Sequence, residues 1–107
     1  MTNFEALLEK ASSARKAGNQ TTLVECLGRA KALVAGDRSL PAKKASFAIA
    51  RLFFEADQFD EATEVIQQSL GKWPRDAAFL NLKGVLLKRR GRLSEAIQAF
   101  KQACNAD

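Results

Sequence analysis

The chain has 107 residues, 47% hydrophobic and 27% charged, with 17 basic side chains against 12 acidic ones and a net charge of +5. That supplies a modest core for one domain, and the positive balance admits an acidic protein, a nucleic acid or an anionic membrane surface as partner without choosing among them. With no histidine, and with Cys26 and Cys104 lying 78 positions apart, neither a zinc-ligand spacing nor a Cys/His catalytic pair can be written.

The first segment, "MTNFEALLEKASSARK", lacks the uninterrupted apolar core of a signal peptide, and no apolar run approaches membrane-spanning length. A cytoplasmic protein with two reduced thiols is therefore expected. Phe4, Leu7, Leu8, Ala11 and Ala14 recur at spacings of three and four, which predicts an amphipathic helix ending at Gly18. A second helix, from about residue 20 to 35, carries Leu23, Leu27, Ala30 and Val34 in the same rhythm and stops at Gly36 and Asp37. The third opens with Ser39 as N-cap and Pro41 in the first turn, where a missing N–H costs nothing. A fourth runs from about 59 to 70 and is expected to stop at Gly71, with Pro74 beyond. The fifth covers about 75 to 89 and the sixth about 93 to 105, with Gly91 between them. Strand signals are nearly absent. Turns of two or three residues at Gly18-Asn19, Asp57-Gln58 and Arg90-Gly91-Arg92 make the partners within each pair antiparallel.

The segment "DQFDEATEVI" at 57–66 is echoed by "GRLSEAIQAF" at 91–100, 34 positions later. Both place a turn residue (Asp57, Gly91), a bulky apolar residue (Phe59, Leu93), Glu-Ala (Glu61-Ala62, Glu95-Ala96) and a large apolar residue (Ile66, Phe100) in one order. The third unit carries Leu80, Gly84, Leu87, Ala96, Phe100 and Ala103, and the second carries Ala50, Phe53, Ala62, Ile66, Ser69 and Pro74. A 34-residue helix–turn–helix period with these residues resembles the tetratricopeptide repeat. The first unit, with Ala11, Ala14, Gly18, Leu23, Leu27 and Ala30, matches only in kind and lies 39 residues before the second, so five extra residues fall within "VAGDRSLPAKKA". Ala50 and Gly84 are small where the helices of a pair cross closely, as are Ala62 and Ala96 on the second helices. Lys83 departs from the usual leucine, and no unit has the family's tryptophan.

The resemblance implies an all-α fold of six helices: three antiparallel helix–turn–helix repeats, about 4–37, 43–76 and 77–107, stacked as a short right-handed α-solenoid. It further implies a peptide- or protein-binding scaffold or adaptor whose first helices line a concave groove. The positions expected to face that groove are Glu5, Leu8, Ser12, Arg15 and Lys16, then Lys44, Phe47, Arg51, Phe54 and Glu55, then Asn81, Val85, Lys88 and Arg89. Arginines around Phe47 and Phe54 suit an acidic peptide with an apolar anchor, since guanidinium groups chelate carboxylates while a phenyl face buries side-chain area. The other reading makes the basic residues a solvated face and gives Phe47 or Phe54 to the core. The carboxylate clamp of the chaperone-binding members is not present: Leu8, Ser12, Ala48, Ala78 and Leu82 occupy its positions.

Two competing functions have weaker support in the residues. The run "KGVLLKRRGR", 83–92, has five basic residues and no acid, and suits a polyanion such as nucleic acid; it also straddles a helix end, where cations meet the dipole. Enzymatic activity is not expected, because histidine, tyrosine and a glycine-rich phosphate loop are all missing. Glu61 and Glu95 read as solvated helix-start residues, and no metal or cofactor is expected. Ile97, Phe100 and Cys104 on the sixth helix would have nothing to cover them, so the chain is expected to be a piece of a longer protein or to self-associate as a homodimer through that helix.

Overall fold

The computed structural model describes residues 3–105. They form six helices: α1 (Asn3–Lys16), α2 (Gln20–Val34), α3 (Leu40–Glu55), α4 (Phe59–Lys72), α5 (Ala77–Arg89) and α6 (Leu93–Asn105). Residues 106 and 107, which close the third expected repeat, lie outside the described residues.

Three left-handed residues fold the chain into pairs. Gly18 (φ 75°), Asp57 (φ 62°) and Gly91 (φ 82°) each follow the first helix of a pair. At each one the next amide reaches back five residues: Asn19 N–H donates to Ala14 O (2.8 Å), Gln58 N–H to Phe53 O (2.9 Å) and Arg92 N–H to Leu87 O (2.9 Å). This Schellman closure satisfies carbonyls that a helix end would otherwise leave open, and it turns the chain sharply back. The antiparallel pairs α1–α2, α3–α4 and α5–α6 result, with α2 packed on α3 and α4 on α5. The first helices also meet in order, α1 with α3 and α3 with α5, so they share one side of the stack.

The apolar residues of the 3.6-residue rhythm make the core. Leu23, Leu27, Ile49, Phe53, Ile66 and Phe79 are each at most 2% exposed. Ala50 and Ala62 are fully buried at the crossing of the second pair. In the third pair the crossing is tighter still, because the Phe100 ring lies against Gly84. Side-chain caps start three helices: Asn19 Oδ1 accepts from Thr22 N–H, Ser39 Oγ from Ala42 N–H and Asp76 Oδ1 from Phe79 N–H.

Two boundaries differ from the sequence expectation. α4 runs through Gly71 to Lys72. Gly71 does not take a positive φ, and Trp73 N–H still bonds to Ser69 O at 2.7 Å; the break comes at Trp73, where the following Pro74 disfavours helical backbone. α5 starts at Ala77 rather than near residue 75, because its cap is Asp76.

The five extra residues between the first and second units are tied to the second unit. Asp37 Oδ1 accepts from Ser39 N–H at 2.8 Å, and the Ser39 amide and hydroxyl hold the Asp37 carboxyl below the usual carboxylate range. Lys72 Nζ donates to Val34 O (2.9 Å) and Asp37 O (3.1 Å), so the end of α4 closes the carbonyl end of α2. Burial pushes the Lys72 ammonium below its ordinary pKa against the opposing pull of Asp37. Among the described residues no helix is long and apolar enough to cross a membrane.

Candidate functional site

The positions expected at a groove lie on α1, α3 and α5, the helices that share one side of the stack. Asn81, Val85, Lys88 and Arg89 fall on one face of α5 by their spacing, and all four are exposed. At the C-terminal ends of the three helices a mixed cluster forms. Glu55 stands between two arginines, one carboxylate oxygen to each: Oε2 lies 2.9 Å from Arg15 of α1, and Oε1 lies 3.9 Å from Arg51, one turn earlier on α3. The Arg89 guanidinium lies 6.0 Å from the Phe54 ring centroid, within cation–π range. Phe54 in turn packs on Phe59 at 5.6 Å.

Arg15 and Arg51 thus meet at Glu55, and Arg89 meets the adjacent Phe54. Lys16 and Lys88 are exposed in the last turns of α1 and α5. Each helix end carries about half a negative charge, so five cations with Glu55 as the carboxylate in their midst leave this end of the groove positive. The arginine side chains stay about half exposed, at 51% for Arg15 and 56% for Arg51.

Other expected site residues lie elsewhere. Phe47 is half-buried and meets Phe79 edge-on at 5.7 Å. Phe79 stacks on Trp73 at 6.0 Å, and Trp73 carries Lys72 at 5.0 Å and Lys43 at 6.0 Å. Phe47 is therefore part of an aromatic stack joining the second and third units, in keeping with the packing role that the sequence left open for it. Lys43 is held by Asp76 at 2.6 Å. Burial pushes the Asp76 carboxyl up, but the Lys43 ammonium and the Phe79 and Ala78 amides outweigh it and hold the group below the usual carboxylate range.

Lys44 is exposed near the opposite end of α3, beside a hollow of about 390 Å³ between the starts of α1 and α3. Carbon surface from Phe4, Leu8, Leu40, Pro41 and Ala45 dominates that hollow. Leu40 and Pro41 were not among the groove positions read from the sequence. The available signal was phase: the buried face of α3 runs through Ala42, Ala45, Ile49 and Phe53, and Leu40 is out of step with it yet apolar.

The basic run 83–92 does not form one patch. Lys83 is half-buried on the side of α5 that meets Gln98 and Gln102 of α6, while Arg90 is drawn to Asp60 at 3.1 Å and Arg92 to Glu95 at 3.8 Å. Only Lys88 and Arg89 of the run lie on the groove face of α5. Glu61 is also not a merely solvated helix-start residue, because it is half-buried and pairs with Lys31 of α2 at 3.5 Å, beside Glu64 at 2.8 Å.

On α6, Ile97 is 54% exposed and Cys104 is an exposed free thiol. Phe100 is half-buried, since its ring fills the space over Gly84. With Ile97 and Cys104, Phe100 also lines an open, mostly apolar hollow of about 450 Å³ on the outer side of α6.

The sequence model of the tetratricopeptide repeat matches residues 47–107, which takes in most of the α3–α4 pair and all of the α5–α6 pair. No curated protein matches the chain. Tetratricopeptide repeats generally mediate protein–protein interaction. With the model covering more than half of its length, over helix pairs whose turns and close crossings recur at the repeat period, the chain belongs to the tetratricopeptide repeat family.

Proposed function

We propose that the protein is a non-catalytic binding module that takes an acidic polypeptide segment along the α1–α3–α5 side. The observation that carries this reading is that Arg15 of α1 and Arg51 of α3 meet at Glu55 while Arg89 of α5 lies over the ring of the adjacent residue, Phe54. Guanidinium groups present paired N–H donors in a planar fork that fits carboxylate, and the weak hydration of that fork lets it bind at a partly apolar surface. Glu55 occupies part of this donor set in the free protein, and an exposed pair of this kind is worth about 1 kcal/mol or less. An incoming carboxylate can exchange with it at little cost.

The competing polyanion reading draws less support, because the charges of 83–92 diverge and two of them already meet Asp60 and Glu95. The deciding experiment is a fluorescence anisotropy titration with a labelled peptide of glutamates and alanines, at low and moderate salt. The double variant Arg51→Glu, Arg89→Glu is expected to bind at least about tenfold more weakly, equal to about 1.4 kcal/mol, with unchanged helicity by circular dichroism. Equal binding by both proteins overturns the groove assignment. Tighter, salt-steep binding of an oligonucleotide that survives the double reversal would favour the other reading.

A further inference from the structure

The groove side has two chemically different ends. At the C-terminal ends of the first helices stands the arginine cluster around Glu55 and Phe54. At their N-terminal ends lies a mostly apolar hollow between Phe4, Leu8, Leu40, Pro41 and Ala45, with Glu5 and Lys44 also on its lining. Both features draw on the two neighbouring helices α1 and α3, and residues expected on the groove face, Glu5, Leu8 and Lys44, line the hollow.

Local chemistry explains why the hollow is apolar. Pro41 has no N–H to offer, Ala45 has only a methyl group, and Leu40, 60% exposed, stands at the edge without being drawn into the core. At about 390 Å³ the space lies in the size range of small binding pockets.

We propose that this hollow is an anchor site for one large apolar side chain of the same acidic segment that meets the arginines. The inference rests on the groove reading given above and extends it to a spacing. Ala45 and Glu55 are ten residues apart on α3, about 15 Å at 1.5 Å per residue. An extended chain advances about 3.3 Å per residue, so the apolar residue and the acidic run should be separated by about four to five residues. The occupant is thus a segment with a phenylalanine- or leucine-sized residue at that distance from its carboxylates. The positive end of the groove supplies the charge complementarity, and the apolar end gives the segment a fixed register.

The test uses three labelled peptides, each made in both chain orders: glutamates with alanines only, the same peptide with one phenylalanine four residues from the glutamates, and one with phenylalanine adjoining them. The spaced peptide is expected to bind about tenfold tighter than the other two, in at least one chain order. Leu40→Ser, on an exposed side chain that the core does not use, should remove that advantage while leaving the alanine peptide's affinity unchanged; Leu8→Ser, from the opposite wall, should also remove the advantage. If the alanine peptide binds but the spaced phenylalanine adds nothing, or if its advantage survives both variants, the anchor site is refuted while the groove reading stands. If the acidic peptides do not bind at all, the groove reading fails and the anchor site with it.

Discussion

Gly84 and Phe100 are in contact across the third helix pair so closely that a Cβ on Gly84 would lie 2.6 Å from Phe100 Cε1. No real Cβ tolerates that distance, so the glycine is required by its neighbour and not by its own backbone, which is helical. Gly84→Ala should gain about 1 kcal/mol of helix propensity and lose about 1–3 kcal/mol to overpacking, giving a modest net loss in thermal stability. Phe100→Leu should be destabilising alone but should relieve the alanine variant. A double-mutant cycle by chemical denaturation is expected to give a coupling of at least about 1 kcal/mol, and strict additivity of the two changes would contradict the contact.

Of the three residues that close first helices, Asp57 alone carries a side chain into the left-handed region. Asp is tolerated there better than most residues, but the conformation still costs it relative to glycine. Asp57→Gly should therefore stabilise the fold by about 0.5 kcal/mol after the entropy gained by the unfolded chain is subtracted, a rise in Tm of about 2–4 °C. Gly18→Ala and Gly91→Ala should shift it the other way by about 1–2 kcal/mol. A Cβ at either glycine would meet nothing within 4 Å, so that loss would be conformational and not steric. Equal signs for the glycine-introducing and glycine-removing changes would count against this account of the turns.

Much of this architecture is written in local signals. Gly18, Asp57 and Gly91 punctuate the pairs, the apolar rhythm marks the buried faces, and Ser39 and Pro41 announce the start of α3. Gly71 misled because a glycine ends a helix only where its φ turns positive, and at Gly71 the helix is instead stopped by the conflict between Trp73 and Pro74. The site was harder to read. Expecting Arg15, Arg51, Phe54 and Arg89 on one face needs only helical spacing and the order of repeats, whereas the partner of Arg15 lies 40 positions away in Glu55. Phe47 has the spacing of a groove residue, and only the packing of the next pair shows that its ring is spent on Phe79. The ties of Lys72 to the carbonyls of Val34 and Asp37 likewise depend on how the longer first junction folds back.

Asp76 joins capping to inter-repeat packing, since its carboxylate accepts from Phe79 N–H at 3.1 Å and pairs with Lys43 at 2.6 Å. Its folded-state pKa is lowered, so the folded protein binds fewer protons than the unfolded chain between the two values. The resulting stability is present above the unfolded value and is lost as pH falls through the folded one. Asp76→Ala should cost about 1–2 kcal/mol near neutral pH, and the gap between variant and parent in thermal melts should narrow below about pH 4. A gap that widened on acidification would mean that the Lys43 pair is not what the carboxylate contributes.

Glu55 decides how available the arginine cluster is. Its side chain is 29% exposed, less than either arginine it meets, so the carboxylate is the better-seated partner of the three. Two effects of removing its charge then oppose one another. Glu55→Gln abolishes the internal competitor and raises the positive potential, which should tighten binding of an acidic peptide and steepen its salt dependence. It also releases Arg15 and Arg51 from the geometry in which Glu55 holds them, which adds side-chain entropy to be lost on binding. An immobilised long side chain costs about 0.5–1.5 kcal/mol, and the exposed pair that Glu55 makes with each arginine contributes no more than about 1 kcal/mol, so these local terms come close to cancelling. What remains is the change of one unit in net charge beside Arg89, Lys88 and Lys16, and this favours the ligand. The expected outcome is a several-fold tighter Kd for the glutamate–alanine peptide in Glu55→Gln at low salt, with the difference shrinking as ionic strength rises. Weaker binding by the variant at every salt concentration would make Glu55 a positioning residue that presents the arginines, and not the internal occupant of their donor set.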